Sequence, residues 1–543
     1  MNAESTITRL RALQESEASF ADEMLLAHDA CGAINEAAER CLDRTDVLDW
    51  LNCVTGAHEP FSMPALMRVL RAVCEKDLAL GLGYALTTCM AATNIWIAGS
   101  PSQKLQLADL LRDRAKVAIA YHEWDHGNDL VGTELSAVRV GDAFRLRGGK
   151  AVINNIARAH AFVLCARTDP SARARALSLF FVRREDLQGA YRFLPRVSTH
   201  GVRNCHISGI ELIDCTIPAR CLLGEVGAGL EYALRAFQVT RALLPGASLG
   251  IVETAYRLTM AHAQSRRLYG GTMLEIPHVR ATLAQIRLEL HMAYCLSNTI
   301  AGCLHVVPEQ MSVYASLCKY HVPLTMRQVL KKLAEILGAY HYLCEGTTGL
   351  FEKIIRDYPV VSFGHAGSLV CQAAVASQLP AIFRKWNQSD VNVSLIRDMY
   401  DTDSLPCFDA SRLSLTNSGR DILLNSVTLW QATLSAIRPI SPAERLTLDA
   451  LQTAVSKICR ACEELVSEGH NRERESWRMV ERYACLQSAI ATFNAWAYSP
   501  DPCNMDDGLW IVECLNLSLS KLQGTEYDVP DTIQHFVFEH MSA

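Results

Sequence analysis

The chain has 543 residues, half of them apolar and a fifth charged, the mixture of a folded globular protein with room for three or four packed units. Its formal net charge is −6 and no basic face stands out, which argues against a nucleic-acid partner. The opening stretch "MNAESTITRLRALQESEASF" has scattered acids and no apolar core, so it does not read as a secretory leader, and the expected compartment is the cytoplasm.

Residues 1–116 read as helical, with apolar positions three and four apart, as in "LADLLRDRA". The most apolar run, "GYALTTCMAATNIWIAG" (Gly83–Gly99), is broken by Thr and Asn and is short for a bilayer span, so no membrane partner is expected. From 117 to 225 the texture changes to short runs, "VAIAY", "AFRLRGGKAVI", "AFVLCARTD", "LSLFFVRRE" and "GIELIDCTIP". Gly, Asp and Asn punctuate them, and they read as antiparallel strands. The helical period returns over 226–385. The remainder, 386–543, reads as an additional helical extension. One helix there starts at "SPAERLTLDALQTAVSKICRACEELV", with Ser441 as N-cap, Pro442 at the first position and Glu444 closing a capping box.

Twenty cysteines are scattered singly through apolar stretches, which suits buried thiols better than a disulfide framework. Cys459 and Cys462 form one close pair without a second pair or a nearby His. "HEWDH" (His122, Glu123, His126) matches the His-Glu-x-x-His pattern of zinc proteases, which needs both histidines one turn apart on a helix. Here it follows a strand-like run and enters the loop "GND", so no metal is expected.

Several motifs, in order between about Ser100 and Gln378, resemble the acyl-CoA dehydrogenase family. "HGVRNCHISGIELIDCTIPARCLLGEVGAGLEYAL" is similar to the family's Gly-x-Arg turn, strand, Ile-Pro and Leu-Gly-x-x-Gly-x-Gly. "HAQSRRLYGG" resembles Tyr-Ala-x-x-Arg-x-x-Phe-Gly, "AEILGAYHYL" resembles Gln-x-x-Gly-Gly-x-Gly-Tyr, and "IIRD" resembles the Arg-Asp pair that follows. "RGGKAVINN" and "AYHEWDHGND" resemble two flavin-contacting segments. The resemblance implies a mainly α fold with a central β-domain. Its parts would be a helical domain, a β-barrel-like domain and a four-helix bundle, followed here by the extra C-terminal helices. It also implies FAD, a homodimer or homotetramer, and oxidation of an acyl thioester of CoA or an acyl carrier protein between Cα and Cβ.

Carried over residue by residue, the resemblance puts His122, Gly127, Asn128, Asn154, Arg266, Tyr269, Glu335, Gly338 and Ser368 at the cofactor. Asn128, Thr240 and Arg241 fall near the substrate, and Lys150 keeps its place. Arg266 is expected to pair with the FAD pyrophosphate across a subunit interface, because a guanidinium fork matches phosphate oxygens. Departures gather near the flavin: His122 for Thr, Val152 for Trp, Asn154 for Thr, Glu335 for Gln, and Ala339 and His341 for Gly. The family's base, a carboxylate, falls on His365 when counted from Arg356, or on Ala366 if the register shifts by one, which places Ser368 at the cofactor. The alternative base position falls on Thr240. His365 with Arg241 is the catalytic expectation, since imidazole is a competent base with an unperturbed pKa of ~6.5. A flavin-dependent monooxygenase and a non-catalytic member of the fold are the other readings. The acyl group and the electron acceptor are not readable.

Overall fold

In the computed structural model the described residues are 2–52, 61–171, 175–364, 366–388, 391–401, 404–437, 442–471, 476–499 and 508–540. The chain forms two compact units. One is drawn from Met1–Phe61, Ala65–Ile251 and Leu343–Gly367, the other from Ser62–Pro64, Val252–Tyr342 and Ser368–Ala543.

The first unit is built on a mixed sheet. Its strands are β1 (Val117–Ala120), β2 (Ser136–Val140), β3 (Ala143–Asn154), β4 (Ala161–Arg167), β5 (Leu177–Arg183), β6 (Gln188–Phe193), β7 (Ile207–Pro218) and β8 (Leu222–Leu223). The spatial order is β6-β7-β3-β2-β4-β5-β8, with β1 on β4. The antiparallel expectation needs correcting at β1, which runs parallel to β4 from Val117 opposite Ala161 to Ala120 opposite Leu164. Parallel neighbours need an intervening crossover, and here the β2–β3 hairpin lies in that connection.

In β3, Phe144 and Leu146 point inward while Arg145 and Arg147 are exposed, the period-2 pattern of a half-buried strand. In contrast, β4 and β5 are buried along nearly their whole length. Helix Thr87–Ala98 lies on β1 and β4 and against helix Gly229–Ala247, which lies on β5, while Phe162, Leu164, Phe180 and Val182 face the sheet's own core. Phe144, Phe162, Phe180, Ile210 and Ile217 form the centre of the sheet's core. The segment Leu78–Ala98 is apolar and long enough to cross a bilayer, but 94% of it is buried, so it serves as a core helix.

The second unit is helical. Pro277–Val306 and Met311–Leu337 pair as a hairpin, and Ser368–Ala376 packs on the latter. The extension belongs to this same unit. Ser476–Tyr498 packs on Pro277–Val306 and Ser368–Ala376, while Asp531–His540 also lies on Pro277–Val306. An apolar helical stripe must be covered, and these stripes are covered by the bundle.

Two buried polar ties fix the docking. Asp421 is enclosed and accepts from Tyr314 Oη (2.7 Å), Tyr483 Oη (2.6 Å), Gln487 Nε2 (2.8 Å) and the Leu424 N–H (2.9 Å). Glu289 pairs with Lys332 at 3.2 Å and with Lys521 of Gly508–Gln523 at 2.8 Å. Ser441, the expected N-cap, lies outside the described residues; the described helix is Pro442–Asn471. The cysteines among the described residues are free thiols, Cys462 buried and Cys459 half-buried.

Candidate active site

In the first unit, β1 delivers the chain into the loop His122–Asp129, and a buried cation holds that loop to β3. Lys150 has no exposed surface. Its Nζ donates to the Tyr121 carbonyl (2.9 Å) and to Glu123 Oε1 (2.7 Å). Glu123 also accepts the N–H groups of Glu134 (2.9 Å) and Leu135 (3.1 Å). Burial opposes its ionisation, but Lys150 and these donors bring its pKa below the usual carboxylate value. Lys150 is therefore the loop's structural counter-ion.

His122 Nδ1 stands 2.8 Å from the Gly127 carbonyl. A carbonyl only accepts, so Nδ1 carries the proton and Nε2 keeps its lone pair. Burial lowers this imidazole's pKa; the Gly127 carbonyl resists that shift and Lys150 adds to it. Gly127 and Asn128 are exposed, and nothing lies within 4 Å of where a Gly127 Cβ would be. A Cβ on Gly367 would stand 3.6 Å from Asn128 Nδ2, so this loop meets the segment that follows Phe363. Ala366 there is buried with a φ of 123°. His365 lies outside the described residues.

At the end of β3, Asn154 Nδ2 donates to Thr87 Oγ1 (2.8 Å), while its Oδ1 is enclosed without a partner. Val152 is exposed at a register shift of β3 against β7, with a φ of 58° that a β-branched residue rarely adopts. Thr240 and Arg241 are both buried in helix Gly229–Ala247. That excludes an ordinary surface charge at Arg241. Its guanidinium lies 5.1 Å from the Phe237 ring, which meets Tyr121 edge-on at 6.0 Å, beside His122 in sequence. The structure thus brings His122, Asn128, Asn154, Thr240 and Arg241 into one unit.

A second buried charge network holds the helix Gly349–Asp357. Lys353 Nζ lies 2.9 Å from Asp77 Oδ1 and 2.5 Å from Asp357 Oδ2. Asp357 accepts the Val202 N–H at 2.6 Å, and Arg356 pairs with Asp29 and Glu352, each at 2.6 Å. This accounts for the Gly-x-Arg turn: a Cβ on Gly201 would fall 1.9 Å from the Arg356 carbonyl oxygen. Sequence reading missed Lys353 and Asp77 altogether. Asp77 left one signal, as an N-cap before "LALG", where it accepts from Ala79 and Leu80.

The second unit holds Arg266, Tyr269, Glu335, Gly338 and Ser368. Arg266 is exposed just past helix Leu249–Ser265, and its Nη1 donates to Tyr340 Oη at 2.8 Å. Tyr269 is almost fully exposed with a φ of 53°. Glu335 is exposed 3.9 Å from Lys331, so its charge has a partner. Gly338 has a φ of 56° and open space around it. Ser368 opens helix Ser368–Ala376. Sequence reading also missed His262, whose ring packs on Tyr340 with centroids 4.7 Å apart.

The zinc-protease pattern fails on geometry, since residues 121–129 form no helix. Ligand atoms of Glu123, His126 and Glu134 do lie within 4.8 Å of one another, but Glu123 already serves Lys150.

Residues 227–373 match the family described as acyl-CoA dehydrogenase, C-terminal domain. The chain is a relative of the acyl-CoA dehydrogenases. Cyclohex-1-ene-1-carbonyl-CoA dehydrogenase of Syntrophus aciditrophicus is 25% identical over 266 residues, which is 49% of this chain and 63% of that enzyme. The chain thus spans just under two thirds of that relative. Among solved structures, butyryl-CoA dehydrogenase from Megasphaera elsdenii superposes with a TM-score of 0.64 at 17% identity, over 69% of this chain and 97% of that one. A prolyl acyl carrier protein oxidase gives 0.62 at 22% identity, over 69% and 98%. Both likenesses establish the acyl-CoA dehydrogenase fold, here carrying extra C-terminal helices.

Proposed function

We propose that the protein is an FAD-dependent oxidoreductase that dehydrogenates an acyl thioester, borne by CoA or by an acyl carrier protein, between Cα and Cβ. The observation that carries this reading is the meeting of loop His122–Asp129 with Gly367, just beyond the Arg356–Asp357 helix. The residues suit the cofactor. Asn154 Oδ1 is an enclosed acceptor with no partner, fit for a ring N–H. Gly127 and Gly338 leave open space, and Arg266 presents an exposed guanidinium. Glu335, unfavourable beside a phosphate, has Lys331 to offset it.

FAD, when bound, supplies the acceptor for the hydride from Cβ. The chain's part is to hold the thioester and move the Cα proton. That carbon acid is too weak for neutral water, so a base must be placed beside it. No carboxylate stands at 240, 365 or 366, and we assign the proton to His365 as a neutral imidazole. In the family's arrangement Arg241 falls near the base, where like charge would disfavour imidazolium. Asn128, whose Nδ2 stands beside Gly367, offers a hydrogen-bond donor where the two segments meet. Homodimeric or homotetrameric assembly in the cytoplasm belongs to this reading, with Arg266 serving a neighbouring subunit's cofactor.

The missing carboxylate also favours a second reading, a flavin-dependent monooxygenase. Purified protein should be yellow with a flavin spectrum, and an acyl thioester should bleach it anaerobically. Bleaching only by an external reductant selects the monooxygenase, and colourless protein that takes up no flavin leaves a non-catalytic member. His365→Ala should abolish exchange of the Cα proton with deuterium while flavin stays bound; unchanged exchange would remove His365 from the mechanism.

A further inference from the structure

The helix Ser368–Ala376 of the second unit turns an uncharged side to solvent. Leu369 and Val370 are 73% and 42% exposed, and Ala373 and Ser377 continue the same exposed side. No Asp, Glu, Lys or Arg occurs between Asp357 and Arg384, although a solvent-facing helix side ordinarily carries charge. Two further helices of the same unit extend this surface. Gln372 Nε2 donates to the Tyr320 hydroxyl and to the Trp477 carbonyl, each at 3.3 Å, and Ser312 Oγ donates to Gln378 at 3.1 Å. Met311–Leu337 therefore runs antiparallel to Ser368–Ala376, and Leu324, one turn beyond Tyr320, is level with Leu369. Trp477, at the start of the extension helix Ser476–Tyr498, is 49% exposed. An exposed apolar patch with a polar rim marks an interaction site. The rim here is basic. Arg327, one turn beyond Leu324, and Arg478, next to Trp477, are exposed and make no ion pair among the described residues. Lys331 has Glu335, and the Tyr320 hydroxyl donates to Glu481.

We propose that this patch docks a carrier protein that bears the thioester, a small acidic acyl carrier protein whose amphipathic helix sets apolar residues on Leu369 and Trp477 and carboxylates on Arg327 and Arg478. Opposite charge around an apolar centre steers such a partner and fixes its orientation. A second copy of this chain fits worse, because a two-fold contact would bring the same basic rim against itself. A bilayer fits worse too. The uncharged stretch is divided among the short helices Pro359–Phe363, Ser368–Ala376 and Leu379–Lys385, which bury Cys371, Val375, Ile382 and Phe383. Gly367 and Ser368 are consecutive, so the carrier is held beside the segment to which the acyl group is delivered. The identity of the partner rests on the thioester reading; the patch itself does not.

The test uses full-length protein and a fluorescently labelled holo-acyl carrier protein, with binding read by anisotropy. The parent should bind it with an affinity that falls as salt rises. Leu369→Asp sets a like charge against the carrier's carboxylates, and Arg478→Glu reverses the rim, so each should weaken binding about tenfold or more. Affinity for free coenzyme A, read by calorimetry, should not change, and thermal melts establish that each variant is folded. No binding by the parent, equal binding by parent and variants, or a parallel loss of coenzyme A binding would overturn the proposal. If sedimentation shows that Leu369→Asp splits an oligomer formed by the parent, the patch is a contact between copies and the proposal falls. It falls to a lipid surface if the parent, but not Leu369→Asp, co-sediments with phosphatidylglycerol vesicles. A parent that binds the carrier but whose flavin no thioester bleaches keeps the docking surface and loses the dehydrogenation reading. Bleaching by an acyl-CoA without carrier binding removes the docking surface alone.

Discussion

Replacing Lys353 by Met tests the frame beneath the candidate site. Among the described residues the ammonium is the one cation bonded to both Asp77 and Asp357, and all three side chains are at most 2% exposed. Its loss does not fall equally on the two carboxylates. Asp77 would keep the N–H groups of Ala79 (2.8 Å) and Leu80 (3.1 Å) and Asn204 Nδ2 (3.1 Å). Asp357 would keep only the Val202 N–H. In the intact protein the two already differ: burial raises Asp357 despite Lys353, whereas at Asp77 burial is outweighed by Lys353 and the further donors. Removing one partner of a buried pair costs about 3–5 kcal/mol, against a total domain stability of roughly 5–15 kcal/mol. At about 2–4 °C per kcal/mol, the melting point should fall by roughly 10 °C. Urea unfolding followed by circular dichroism reads the same loss as a lower midpoint at unchanged slope. Lys353→Met with Asp357→Asn should recover a good part of it, because the less supported charge is gone. A single variant within about 1 kcal/mol of the parent, well under the cost of a broken buried pair, would refute the reasoning. So would a double variant no more stable than the single one.

The loop His122–Asp129 should loosen in Lys150→Met, which leaves Glu123 with only two backbone donors. Faster proteolytic nicking at 124–128 and a stability loss of about 3 kcal/mol are expected. Asp421→Ala strands the Tyr483 hydroxyl, an amide and a helix cap, and leaves the Tyr314 hydroxyl to Gln310. Hydrogen exchange in Ser476–Tyr498 should rise, with about 3 kcal/mol or more lost from the second unit. That unit should also weaken in mild acid. Burial lowers His305 and His321 to about 4 and His291 to about 3, with Lys521 and Arg287 adding to the last two respectively. The unfolded chain, with histidines near ~6.5, then binds more protons than the folded one, so stability is lost as pH falls from ~6.5 toward ~4, by roughly 1.4 kcal/mol per pH unit for each histidine. His305 shows why: Nδ1 donates to the Pro406 carbonyl and Nε2 accepts the Met63 N–H, so a second proton breaks the latter bond. His305→Gln should flatten the urea midpoint's dependence on pH.

The strands of the first unit were legible where one face is wet. β3 shows its alternation plainly, because Arg145 and Arg147 meet solvent between Phe144 and Leu146. β4 and β5 reveal themselves only as apolar runs, since helices cover the face that would otherwise carry polar residues. The parallel pairing of β1 with β4 has no local signal at all; it depends on a partner more than forty positions away. Motif order singled out Arg266 and Gly338, and it set His122 and Asn128 in one segment, which forms a single loop. The ties that hold those residues were hidden for a physical reason. Lys353 reaches Asp77 across 276 positions, and an isolated Lys or Asp in a helical pattern reads as solvated charge.

Those hidden ties bear on the chemistry. Lys150 with Glu123, and Lys353 with Asp77 and Asp357, fix the two segments that meet at Asn128 and Gly367. Both networks are buried, and neither uses the side chains that depart from the family pattern. His122 makes its hydrogen bond within its own loop, Val152 is exposed at a strand irregularity, and Ala366 has no polar atom to contribute. Residue types at these positions can therefore change without removing a charge from the frame. Positions 240, 365 and 366 carry no carboxylate.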